Sequence, residues 1–209
     1  MSQLDIYNGA AMQLGERFIT SLSDDVPLRY ILDYVWNNGG IRYCLEKGHW
    51  NFSMRTQEIE ASESVEPDFS FSYAYEKPSD WVKTTAFSAD EYFQHMITDY
   101  VDERDYWFSN YQKIYVKYVS DDPAYGMDYS LWTESFKEFV HLHFAYNAME
   151  RVSASDSKKQ SLERRYKEAM RSAKGNDAHN QPMDALPAGS WNHTRMGGGY
   201  YASRNNYII

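Results

Sequence analysis

The chain of 209 residues is 43% apolar and 17% aromatic, with 30 acidic residues against 21 basic ones and a formal net charge of −9. That length can bury the core of one ordinary domain, while the acidic balance opposes a tight grip on a nucleic-acid backbone, which works by releasing counterions to Lys and Arg. The single cysteine, Cys44, excludes an intramolecular disulfide and fits a reduced cytosolic origin; with no basic-then-apolar leader and no apolar run near ~18 residues, no membrane partner is expected.

The charge is unevenly spread. Residues 1–150 hold 25 acidic and 11 basic side chains, a net of −14, whereas residues 151–175 hold 3 and 8, a net of +5. The expected basic patch is therefore confined to one helix.

Ser2 can cap a first helix over residues 3–20, with Ile6, Ala10, Leu14 and Phe18 at about four-residue spacing. Asp24 or Asp25 can then cap a second over 26–48, with Pro27 in its first turn, where a missing N–H costs nothing. Leu28, Ile31, Tyr34, Val35, Ile41 and Leu45 share one face of it. Asn37, Asn38, Gly39 and Gly40 oppose helix in its middle, leaving either one continuous helix or two in phase, and Gly48 supplies a stop.

A β region is expected over about 53–122. Phe69, Phe71, Tyr73 and Tyr75 alternate with small residues, the period-two pattern of a strand with one buried face. "KPSD" reads as a turn, "WVKTTAF" as a returning strand, and "YFQHMITDY" and "QKIYVKYVS" as two more, with "SNYQ" a turn after "RDYWF". Two helices come next, over 129–152 and 157–174. Leu131, Leu142, Ala145, Met149 and Val152 form one apolar stripe of the first, and Phe136, Phe139, Val140 and Phe144 cover another side. A helix apolar on two sides needs two surfaces to pack against, so one side is open to a neighbouring subunit. The fold class is thus α+β: mainly a helical bundle in a domain of residues 1–174, with a small, mostly antiparallel sheet inserted. Residues 175–209 have no periodicity and read as an extended tail, yet they keep Trp191, Tyr200, Tyr201, Tyr207, Ile208 and Ile209 as anchoring material.

Few patterns carry chemistry. His141 and His143 stand two apart, and on a helix such side chains point in different directions and cannot chelate one ion. Asp99, Asp102, Glu103 and Asp105 could supply paired carboxylates for glycoside hydrolysis, or form a solvated turn. No G-x-S-x-G, G-x-G-x-x-G or G-x-x-x-x-G-K-[ST] occurs, and no catalytic residue, cofactor or metal is implied. Lys158, Lys159, Arg164, Arg165, Lys167, Arg171 and Lys174 are either a solvated face or a docking surface for an acidic protein or for DNA.

Leu14 and Gly15, then Ile19, Ser21 and Leu22 with Asp24, then Trp50, Asn51 and Phe52, then Tyr73, Tyr75, Pro78 and Asp80 occur in an order and at separations that add up. Over residues 3 to 172 this arrangement resembles the head-to-tail adaptor family of short-tailed, podovirus-type bacteriophages, also called tail tubular protein A. The resemblance implies a non-enzymatic structural protein of the virion, made in the bacterial cytoplasm and placed at the head–tail junction. It implies a ring of twelve subunits under the portal protein, extending a channel through which DNA passes without sequence-specific binding and offering a platform for a downstream tail tube or nozzle protein. The aromatic tail, through Trp191, Tyr200, Tyr201, Tyr207 and Ile209, would dock on the portal. Trp50 and Phe52 would pin the end of the long helix to the base of the sheet, and Tyr73, Tyr75 and Pro78 would belong to the sheet's framework. The acidic and aromatic composition leaves open a tail-associated cell-envelope hydrolase or sugar-binding module, and the basic helix a DNA-end-binding protein.

Overall fold

Helix α1 (Gln3–Leu14) opens on a capping box in which Ser2 and Asp5 bond each other's backbone N–H, and it stops at Gly15, whose φ of +74° only a residue without Cβ adopts cheaply. The computed structural model describes residues 2–67, 69–152 and 155–180. The helix expected to reach residue 20 therefore ends a turn and a half earlier. Beyond it lies a loop built by side chains: the Asn8 amide bonds both the N–H and the C=O of Ile19, and the Asp24 carboxylate accepts from the N–H groups of Thr20 and Ser21. Asp24 thus organises the loop and does not cap the next helix, whose cap position is Val26.

The second predicted helix is two. Helix α2 (Pro27–Asn37) ends where Gly39 takes φ +78°, and α3 (Gly40–Glu46) restarts at once. Gly40 is buried, and a Cβ there would lie 2.8 Å from the Val35 carbonyl oxygen, so the break is filled tightly. After a 3-10 turn at Asn51–Ser53 come six strands: β1 (Met54–Glu60), β2 (Tyr73–Glu76), β3 (Trp81–Ser88), β4 (Val101–Glu103), β5 (Tyr106–Ser109) and β6 (Lys113–Ser120). Helices α4 (Glu134–Val152) and α5 (Asp156–His179) close the described chain. Helix α4 begins five residues later than expected, with the Thr133 hydroxyl accepting from the Phe136 N–H, and α5 runs past residue 174 through Gly175.

The class is α+β, with five helices and two three-stranded antiparallel sheets among the described residues, where one sheet was expected. The orders are β1-β6-β3 and β2-β5-β4. Strand β3 does not return on β2; it pairs with β6, starting at Trp81 opposite Ser120. Asp80 explains the choice, because its carboxylate accepts from Arg55 of β1 at 2.8 Å and from Ser120 of β6 at 2.5 Å. Burial alone would raise its pKa, but those bonds outweigh burial and hold Asp80 below the usual carboxylate range. "YFQHMITDY" is no strand. The Asp90 carboxylate gathers the N–H groups of Tyr92, Gln94 and His95, folding the segment into a loop that meets the end of β3 through a single bridge of Met96 to Ser88 and the Ile97 N–H bonded to the Phe87 carbonyl.

Two cores result. The helical core gathers α1 to α5 with Val82 and Val119; the second, between the two sheets, holds Tyr75, Phe87, Trp107, Ile114, Val116 and Tyr118. Strand β6 joins them, since Ile114, Val116 and Tyr118 face the sheets' shared core while Val119 turns to the helices, as period two requires.

Candidate functional site

Trp50 is buried at the junction of α3 and α4. Its indole N–H is shared between the carbonyls of Cys44 (3.1 Å) and Leu45 (3.0 Å) in the last turn of α3. Its ring meets Phe136 edge-on at 4.7 Å, and Phe52 lies between Trp50, Trp132 and Phe136. This corrects the expected placement: both aromatics pin α3 to α4 in the helical core and not to the base of a sheet. Gly48 is what lets the indole in, for a Cβ there would stand 2.6 Å from it.

The expected inner stripe from Phe69 to Tyr75 is also shorter than its pattern. Tyr75 is buried in the sheet core, Tyr73 and Pro78 are half-buried, and Phe69 is 86% exposed outside any strand. Pro78 shapes the corner before β3, its carbonyl accepting from the Trp81 N–H at 3.0 Å.

The candidate chemistry disperses. His141 lies against α1 at Gly9, whereas His143 stacks on Tyr43 at 4.7 Å, so the two imidazoles serve opposite sides of α4. Burial, and then the charge of Lys47, pushes His143 down to about 4. Among the described residues no group of three or more His, Cys, Asp and Glu is arranged to hold a metal. Of the acidic cluster, Asp102 accepts from Lys77 and from the Trp107 indole N–H, while Glu103 and Asp105 stand exposed at the β4–β5 turn. The Cys44 thiol is fully buried, which pushes its pKa well up and leaves it inert.

The basic helix α5 does not present one surface. Lys159 pairs with Glu150 across to α4, Lys167 pairs with Glu163, and Arg165 reaches Gln13 of α1. Lys158 and Arg165 border α1 near Met12, while Arg164, Lys167 and Arg171 line a separate outer groove with Glu163 and Glu168. The far end of α5 carries a group that sequence reading missed: Asp177 is buried, with both carboxylate oxygens 3.1 Å from the Asn51 N–H and its carbonyl bonded by the Asn51 amide. Only the contact across 126 residues makes it visible. Trp191, Tyr200, Tyr201, Tyr207 and Ile209 lie outside the described residues.

The two-sided apolar helix α4 is covered from within, because α1, α2, α3 and α5 all pack on it. Its second side is not open to a neighbouring subunit. Exposed apolar surface is found elsewhere. Val26, Tyr30 and Tyr34 repeat every fourth residue along α2, so they share the helix face opposite Leu28, Leu32 and Val35. Tyr34 is 70% and Tyr30 53% exposed, and the loop feeding the helix adds Phe18 at 59% and Leu22 at 41%. Beside Tyr34 the surface dips into an aromatic groove lined by Tyr43, His143, Tyr146 and Tyr166. The sequence holds the every-fourth pattern, but its periodicity counts Tyr34 with the buried face instead.

No family model matches the chain, and no curated protein matches it either.

Proposed function

We propose that this protein is a head-to-tail connector adaptor of a short-tailed bacteriophage, a structural virion protein that forms a ring under the portal, extends the DNA channel and joins the tail to the capsid. The observation that carries the reading is the aromatic stripe of α2 with its feeding loop: Phe18, Leu22, Val26, Tyr30 and Tyr34 stand in water on a chain with two filled cores. Large rings left exposed in a row are what protein interfaces bury. The occupant we assign is a second copy, since a contact between unlike surfaces repeated by rotation closes into a ring. The ordered motifs from Leu14 to Asp80 and the helical body with an inserted β region support the same reading. The acidic charge of residues 1–150 suits a channel in which DNA slides, because repulsion denies it the counterion-release term.

The partners on this reading are further copies, twelve to a ring, the portal protein above and a tube or nozzle protein below. Electron microscopy of the full chain mixed with its portal ring tests it. Added density capping the portal with twelvefold repetition is the expected result. Loss of that density on Tyr30→Ser with Tyr34→Ser, at unchanged melting temperature, would place the stripe in the interface. Turnover of an envelope polysaccharide that Glu103→Gln abolishes would replace the proposal with the hydrolase reading.

A further inference from the structure

Three lysines from three elements converge where α5 ends. Lys47 sits just past α3, Lys83 lies on β3 and Lys174 on α5, and with His49 and Trp50 they line one open recess of about 380 Å3. Elsewhere the lysines of this acidic chain find carboxylates: Lys77, Lys113, Lys137, Lys159 and Lys167 each form an ion pair. Of the remaining five, Lys47, Lys83, Lys117, Lys158 and Lys174, three line this recess, and none of the three has a carboxylate within ion-pair distance among the described residues.

The carboxylate on the wall does not serve them. Asp177 turns both oxygens to the Asn51 N–H. Lys47 rests its ammonium 4.1 Å above the Tyr43 ring, a contact that leaves the charge available to an anion. The crowding reaches His49, which burial first, and then the charges of Lys83 and Lys174, hold below the usual imidazole range. A lysine at a helix C-terminus complements the helix dipole, which accounts for Lys47 alone. It does not account for Lys83 on a strand, nor for three like charges facing one hollow.

We infer that this recess binds a phosphate group, carried by a nucleic-acid backbone or by a free phosphate compound. An anion seated there would relieve the mutual repulsion of three ammoniums and accept their hydrogen bonds, the way Lys contacts phosphate as a point charge. Arg171, Lys167 and Arg164 lead away from Lys174 along the outer side of α5, so a polymer of phosphates has further cations to track along. The inference stands on the recess and does not rest on the adaptor reading.

The test uses the full chain and three probes: a fluorescent 20-base-pair duplex, inorganic phosphate, and poly-glutamate. Lys83→Gln with Lys174→Gln is compared with Lys117→Gln with Lys158→Gln, which removes the same charge elsewhere. The duplex is expected to bind at low salt, at least tenfold more weakly to the recess pair than to wild type and within threefold for the control pair. The recess pair should also flatten the plot of log affinity against log salt by about two. In wild type, phosphate should shift the NMR signal of the Trp50 indole N–H. If phosphate alone does so and the duplex fails to bind, the source is a small phosphate compound and the site stands. Binding of neither probe, equal weakening by the two pairs, or competition by poly-glutamate as strong as by the duplex would overturn it.

Discussion

Gly9 and Gly175 both sit inside helices, and the same substitution should have opposite effects at the two. Alanine in a helix interior is favoured over glycine by about 1 kcal/mol. At Gly175 a Cβ would meet nothing within 4 Å, so Gly175→Ala should stabilise the chain by about that amount and raise the urea midpoint. At Gly9 a Cβ would fall 2.5 Å from the imidazole of His141, at ring atoms that cannot swing aside. Overpacking of this kind costs about 1–3 kcal/mol, more than the propensity gain, so Gly9→Ala should lower the midpoint. Equal shifts of one sign at both positions would contradict the packing described. His143 gives a pH dependence with a definite sign. It is held neutral in the fold, down to about 4, while the unfolded chain takes its proton near the ordinary 6.5. Stability from this site is complete above pH 6.5 and is lost as pH falls toward 4, on the order of 3 kcal/mol in all. The charged group facing it is Lys47, with Tyr43, Asn147 and Tyr166 uncharged around it. His143→Phe keeps the stack on Tyr43, and its urea midpoint should fall less between pH 7 and pH 4.5 than that of wild type. Residue chemistry of this kind was half legible: the spacing of His141 and His143 foretold that they diverge, but not what each would meet.

At the scale of elements, Trp50 shows how one side chain fixes the relation of two helices, bonding the last carbonyls of α3 while its ring fills the space against α4. Trp50→Ala should cost about 3–5 kcal/mol, a large share of the net stability of a domain, and reduce the yield of soluble folded protein. Trp50→Phe, which loses the indole N–H but keeps much of the volume, should recover folding in thermal melts; an alanine variant as stable as wild type would refute the role. The far end of α5 makes a sharper case. A chain ending at Lys174 loses Asp177 and the bonds it accepts from Asn51, and should be less stable by about 2 kcal/mol than one ending at Asn180. Sequence alone puts that helix end at residue 174 because no periodicity continues from Gly175 onward; an exposed glycine is tolerated inside the helix when Asp177 anchors the next turn. The strands are the least legible elements, for a reason of the same kind. β1, "MRTQEIE", offers two apolar residues in seven, and its pairing with β6 spans some 60 residues of chain. Local periodicity marks a strand's buried face but says nothing of its partner, and Asp80, which directs β3 onto β6, acts only through tertiary bonds.

For the whole molecule, surplus apolar surface decides whether the chain works alone. Counting faces on α4 locates that surplus wrongly, because a helix flanked by α1 on one side and α5 on another has both flanks filled by its own chain. The helical periods themselves were legible, and so was the α+β class. What periodicity could not supply was the order in which helices surround one another, and so which apolar face is left in water. On α2 that face is the row Val26, Tyr30 and Tyr34. Native mass spectrometry of the full chain with its portal ring puts this to the test most directly. The account predicts a complex holding twelve copies, which falls back to portal alone and free monomer when Tyr30 and Tyr34 are replaced by serine. A wild-type chain that stays monomeric beside the portal at every concentration, or a serine variant that still assembles, would contradict it.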